Sequence, residues 1–250
     1  MGATERLGRL VMELEAMNDA DLNDADLNDG DLNDGDPRGL FAAYLDAMGR
    51  RREQPFTAFR AGETVLDAGG MLFPADPAHP AAPAYLDVGA ELHATGGLPS
   101  GRHPVWLRVE PNLVGDPQVV LAVVPFSGKA PVRWTTDART ACPIRSDLLC
   151  LGPVAADPRT RRRLLALAGP EIHRRGLREP GVAALLDKAL AVAPAAAPAP
   201  GAFRKGWQVL ADPATGADVV GVLTPARLGL QSIGHAADGS VALYVLDLTA

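Results

Sequence analysis

Cysteine is nearly missing from this 250-residue chain: it has two, Cys142 and Cys150, too few for a disulfide framework. A reduced, cytoplasmic setting is expected from that. No run of about 18 apolar residues occurs, so a membrane-spanning helix is not expected. The stretch from Met1 to Met17 carries Glu5, Glu13 and Glu15, which interrupt the apolar core a signal peptide needs. Aromatic residues make up only 5%, so a surface of stacked rings for nucleic acid is not expected. The five histidines, His79, His93, His103, His173 and His235, stand at none of the short spacings that bind metals, and the cysteines form no Cys-x-x-Cys pair. No metal site and no cofactor is expected.

Nucleophilic motifs are lacking as well. Ser100 lies in LPSGR and Ser127 in PFSGK, and neither sits in a Gly-x-Ser-x-Gly elbow. Ser127-Gly128-Lys129 resembles the end of a phosphate-binding loop, but Val123 stands where the upstream glycine would be. Cys142, before Pro143, has no evident base beside it and reads as a small core residue.

The chain is rich in apolar residues, at 47%, enough for a sizeable core. Its net charge of −6 is unevenly placed, because eight aspartates fall between Asp19 and Asp36. Without them, 22 acidic residues face 24 basic ones, and the remainder carries +2. A body so near neutrality argues against a nucleic-acid surface.

Those aspartates belong to a five-residue repeat, NDADL, NDADL, NDGDL, NDGD, over residues 18–36. An EF-hand loop is excluded by spacing: Asp31, Asn33, Asp34 and Gly35 bring the glycine one residue early. Ala42 or Pro37 occupies the position of the bidentate glutamate. A five-residue period fits neither helix nor strand, so residues 17–38 are expected to be a disordered acidic tether.

Flanking it, Leu7, Leu10, Val11 and Leu14 have helical spacing and predict a helix over 1–16. A second helix is expected from Gly39 to Arg52, with Leu40, Phe41, Tyr44, Leu45 and Met48 on one face and Arg50 to Arg52 at its end. Strand patterns follow at 64–66, 71–73, 105–109, 119–124, 132–134 and 148–151, separated by Asp-Pro and Gly-rich turns. Asp157-Pro158 opens a helical stretch that Pro170 and Pro180 should split into three. Its run Arg159 to Arg163 is the one dense basic feature, a solvated face or an attractor for an acidic partner or for the chain's own tether. After a stiff Pro/Ala linker at 194–202, residues 203–250 read as a terminal antiparallel meander. Asp212-Pro213 and a two-residue Asp238-Gly239 hairpin supply its turns. The fold class expected is α+β: a mostly antiparallel β body at 39–193, with N-terminal helices and a central helical insertion.

The segments LDAGGMLFPADP, GRHPVWLRV, VVLAVVPFSGKAPVRW and WQVLADPATGADVVGVL, then DGSVALYVLDL, occur in one order. In that order they resemble the bacterial domain-of-unknown-function family numbered 4241. The matching positions are Asp76-Pro77, Pro104-Val105, Arg133-Trp134, Trp207, Gly216 to Val220, Asp238-Gly239 and Asp247, and the resemblance covers residues 40–250. The chain departs from the family at PIRSDLLCLG, where a Val-Asp-x-Gly element is usual, and at TPARLGLQSIGH, where a Ser-Gly-rich stretch is usual. The resemblance implies a fold and no activity.

With no catalytic constellation and a charged tether beside a neutral body, the expected function is non-catalytic binding of another bacterial protein, of immunity or regulatory type. The exposed strand-end pairs Arg102-His103 and Arg133-Trp134 are the expected contact residues. The alternative is a hydrolase-type enzyme whose groups, such as Asp147, His103 and Cys142, meet only in space.

Overall fold

In HPVWLRVEP, alternation puts Val105, Leu107 and Val109 on one face and Trp106 and Arg108 on the other. All five are buried, and that fact explains the architecture. The computed structural model describes residues 37–50, 55–66, 72–77, 98–136, 141–153, 156–176 and 202–249. The expected helix at 1–16, the repeat at 18–36 and nearly all of the linker at 194–202 lie outside them.

Among the described residues, two antiparallel sheets face each other. The first runs β1 (Thr57–Leu66), β3 (Gly101–Pro111), β4 (Pro117–Pro125), β11 (Val241–Asp247), β10 (Leu228–His235), β5 (Arg133–Thr136), with the short β6 (Cys142–Pro143) also on β10. The second runs β2 (Leu72–Ala75), β7 (Leu148–Pro153), β9 (Asp218–Leu223), β8 (Trp207–Ala211). Val105, Leu107, Val109, Tyr244 and Leu246 of the first sheet pack against Leu149, Leu151, Val220 and Val222 of the second. Helix α1 (Pro37–Ala47) covers the outer face of the first sheet, placing Phe41, Tyr44 and Leu45 on Trp106, Leu121, Val123 and Val245. Helix α2 (Pro158–Arg174) covers the outer face of the second, with Leu164, Leu165, Ala168 and Ile172 on Leu148, Cys150 and Val219. The order of layers is helix, sheet, sheet, helix. Central strands are therefore apolar on both faces, as in LLCLGP, which is buried throughout.

Among the described residues the protein is thus mostly antiparallel β with two helices, broadly α+β. Several local expectations need correction. The helix predicted to reach Arg52 stops at Ala47, because Gly49 is left-handed (φ +65°). The Arg50 N–H then bonds to the Leu45 carbonyl at 2.8 Å and the Gly49 N–H to the Asp46 carbonyl at 3.0 Å, a Schellman ending. Arg50 is thereby sent away from the helix axis.

Pro170 does not split α2, which continues to Arg174. Its ring is on the exposed face, while Leu165, Ala168 and Ile172 hold both halves against the sheet. Strand β1 is much longer than the predicted 64–66, since a bulge between Arg60 and Gly62 masks the alternation of its first half. The last four strands do not form one meander: β8 and β9 join the second sheet, while β10 and β11 lie inside the first. The hairpin at Asp238-Gly239 has three loop residues rather than two. Ala236 and Ser240 close it, and Gly239 (φ +82°) takes the left-handed position.

Candidate functional site

Three buried aspartates, Asp76, Asp212 and Asp247, are heavily hydrogen-bonded. Asp76 follows β2, and its Oδ2 accepts the N–H groups of Arg145 (2.7 Å) and Ser146 (2.9 Å). Its Oδ1 accepts the Ser146 hydroxyl at 2.7 Å. Asp212 follows β8, and its Oδ1 accepts the Asp157 N–H and the Thr160 hydroxyl from the start of α2. Its Oδ2 accepts the N–H and hydroxyl of Thr215. Asp247 ends β11: Oδ2 accepts from Tyr44 Oη (3.0 Å) and Arg50 (2.6 Å), and Oδ1 from the Thr249 N–H and hydroxyl. Arg50 also donates to the Thr249 hydroxyl. Each carboxylate clamps two distant segments together and is occupied by internal donors, which leaves little for a substrate.

Electrostatics agree with that reading. Burial pushes the Tyr44 phenol up to about 12, helped by Asp247 and opposed by Ser232, so Tyr44 stays a proton donor at neutral pH. Burial also acts to raise Asp212, but the donors from Thr160, Thr215 and Asp157 outweigh it and hold the carboxyl below its usual value. Glu171 is likewise held low: burial opposes, and Arg174 and Arg175 at 2.7–2.9 Å prevail. Groups with depressed folded values stabilise the fold above their unfolded values, and that stability is lost as pH falls through the folded values. The urea midpoint should therefore be flat above about pH 5 and fall steadily below about pH 4. Asp212→Asn should shrink the fall, and an identical acid profile for this variant would refute the assignment.

The groups nominated for dispersed catalysis do not converge. His103 sits at the upper end of β3, where its Nε2 is 2.9 Å from the Pro99 carbonyl and its ring lies edge-on to Phe126 at 4.8 Å. Cys142 is buried with its Sγ 3.7 Å from the Pro74 carbonyl. The pairings Gly229 with Cys142, Leu230 with Asp247, Asp247 with Leu121 and Arg108 with Leu121 set it near the level of Val109. That level is about 20 Å below His103 along the strands and four strands away. Asp147 is also at the lower end, buried, in left-handed conformation (φ +56°), with Oδ1 3.3 Å from Arg227. Cys150 is fully buried, and that burial raises its thiol far above the range in which a thiolate forms. Among the described residues, no group of three or more His, Cys, Asp or Glu side chains could hold a metal ion.

Of the nominated contact residues, Arg102 and Arg133 are exposed, while His103 is buried and Trp134 is half-buried. Trp134 packs on Tyr44 at 5.3 Å and over Gly234. Arg102 lies 3.6 Å from Glu63. Both pairs stand at the upper end of the first sheet, but β4, β11 and β10 separate them, a distance of about 19 Å. They do not make one patch.

Two surface features lie outside the nominated contact residues, and only the second, the basic run of α2, was noted in the sequence. The first is the turn joining β3 to β4. Asn112 Oδ1 accepts the N–H groups of Val114 (3.0 Å) and Asp116 (2.9 Å), and Gly115 is left-handed (φ +87°). The turn is fixed, yet it holds Leu113 at 105% and Val114 at 77% exposure. Two aliphatic residues inside the turn signals of PNLVGDP were the available clue. At its base, Asp116 accepts from Arg174 (2.9 Å) and the Pro117 carbonyl from Arg175 (2.6 Å), tying the turn to the end of α2.

The second feature is the exposed face of α2, where Arg159, Arg162 and Arg163 reach solvent near the helix start. Arg161 is different, half-buried and donating to the Pro153 carbonyl at 3.1 Å. No family model, curated protein or solved structure matches the chain.

Proposed function

We propose that the chain is a non-catalytic protein-binding module, of immunity or regulatory type, acting in the reducing cytoplasm and engaging its partner through the turn at Leu113 and Val114. The carrying observation is the rigid exposure of those two side chains. Hydrophobic contacts that stabilise folding are buried, whereas these are held outward by Asn112 and by the Arg174 and Arg175 bonds below. A preorganised apolar anchor binds without the entropy cost of ordering a loop. Both cysteines are buried thiols outside any disulfide, in keeping with a reducing compartment. Arg102 and Arg133 stand at the opposite end of the first sheet from this turn, so they remain candidates for a separate contact and not for its rim. Membership of family 4241 is a further proposal, supported by the co-linear segments falling on β2 to β11.

Capture from native lysate on the tagged full chain tests the reading. Wild type should retain one partner at stoichiometric amounts, and Leu113→Asp should weaken that retention about 30-fold, an anchor-sized effect. Its melting temperature should not change, since Leu113 contacts nothing buried. Equal retention by both proteins, or repeated recovery of no partner, counts against it.

The hydrolase-type alternative draws on Asp147, a buried carboxylate in a conformation that costs about 1–3 kcal/mol and is enriched at working sites. Turnover of a generic ester or phosphoester, lost in Asp147→Asn, would replace the binding reading.

A further inference from the structure

Apart from the half-buried Arg161, the arginines of helix α2 and its cap fall into two groups. Arg174 and Arg175, in its last turn and cap, are bonded to Glu171, Asp116 and the Pro117 carbonyl. Arg159, Arg162 and Arg163, in the first two turns, are exposed and have no carboxylate partner among the described residues. Their spacing of three and four puts them on one face. The first turn holds no acidic residue, so these cations sit at the positive end of the helix dipole, where they disfavour the helix they belong to. Among the described residues, no ion pair engages them.

The same chain carries the opposite charge in concentrated form, the eight aspartates between Asp19 and Asp36. That repeat joins the body at Pro37, the first residue of α1. Helix α1 lies on the outer face of the first sheet and α2 on the outer face of the second. The two charged features are thus attached to opposite outer layers, about 30 Å apart through two sheets and their helices. We infer that the arginine face of α2 docks the acidic repeat of a second copy of this chain. The contact is head-to-tail: one copy offers the repeat, the next offers α2, and each still has its other feature free. Such a heterologous contact closes into a ring or extends into an open chain, according to the rotation between successive copies. It is electrostatic and exposed, and it weakens once the screening length falls below the reach of the charges.

Sedimentation equilibrium of the full chain tests this at about 20 mM and about 500 mM sodium chloride. In low salt, the weight-average mass should rise with concentration above the monomer's 26.1 kDa, and in high salt it should return there. The triple variant R159Q/R162Q/R163Q should remain monomeric in low salt with an unchanged melting temperature. A variant with the eight aspartates changed to asparagine should do the same. Leu113→Asp should associate like wild type, so failure of the partner reading and failure of this one are separable. Wild type that stays monomeric in low salt overturns the inference, as does a triple variant that associates as wild type does.

Discussion

Asp247→Ala is expected to lower the unfolding free energy by about 3 kcal/mol, among the largest effects of any single polar substitution here. The carboxylate has no exposure and serves four donors from three residues, Tyr44, Arg50 and Thr249. Its removal takes away the acceptor of the Tyr44 hydroxyl and leaves Ser232 as that group's polar neighbour, while Arg50, about one-third exposed, can return to water. The main cost is the loss of acceptor for buried donors that the carboxylate served together, the Tyr44 phenol first. At this chain length the melting temperature should fall by about 6–12 °C. Asp247→Asn should lose roughly half as much, since an amide oxygen still accepts from Tyr44. Urea unfolding with an unchanged m-value is the measurement. A loss under about 1 kcal/mol would mean that α1 is held by its apolar face alone.

Gly206→Ala should cost a similar amount by a different route. Gly206 precedes β8 with φ +89°, and a Cβ built there would lie 2.7 Å from the Pro117 carbonyl oxygen. That oxygen belongs to backbone and already accepts from Arg175, so it cannot yield without breaking the bond between α2 and the β3–β4 turn. Left-handed strain and a backbone clash together give about 3 kcal/mol. Gly239→Ala is the control: its φ is +82°, yet nothing lies within 4 Å of the added atom. It should lose only about 1 kcal/mol. Equal losses at both positions would show that conformation, not the approach of Pro117, accounts for the glycine.

Much of the local structure was readable because it rests on short-range chemistry. Val105, Leu107 and Val109 alternate with Trp106 and Arg108 as read, and Asp157 caps α2 by accepting the Arg159 N–H at 2.8 Å. Asp-Pro pairs at 76 and 212 do mark turns. Their second role, as anchors for Ser146 and Thr160 about 70 and 52 positions away, was invisible because the partners are remote in sequence. The first half of β1 was missed because its bulge breaks the two-residue period. The exposed pair Leu113 and Val114 was passed over, since apolar residues beside strands are normally buried and only coordinates show which are not.

Taken alone, the sequence determined the antiparallel, strand-rich character, most strand cores, the start of α2 and the separation of charge between repeat and body. These follow from side-chain period and turn chemistry, which act over a few residues. Tertiary structure decided that β11 enters the first sheet between β4 and β10, that Arg50 turns toward Asp247, and that His103 and Cys142 never meet. Strand order is set by which faces can bury each other across long loops, and no local pattern encodes that.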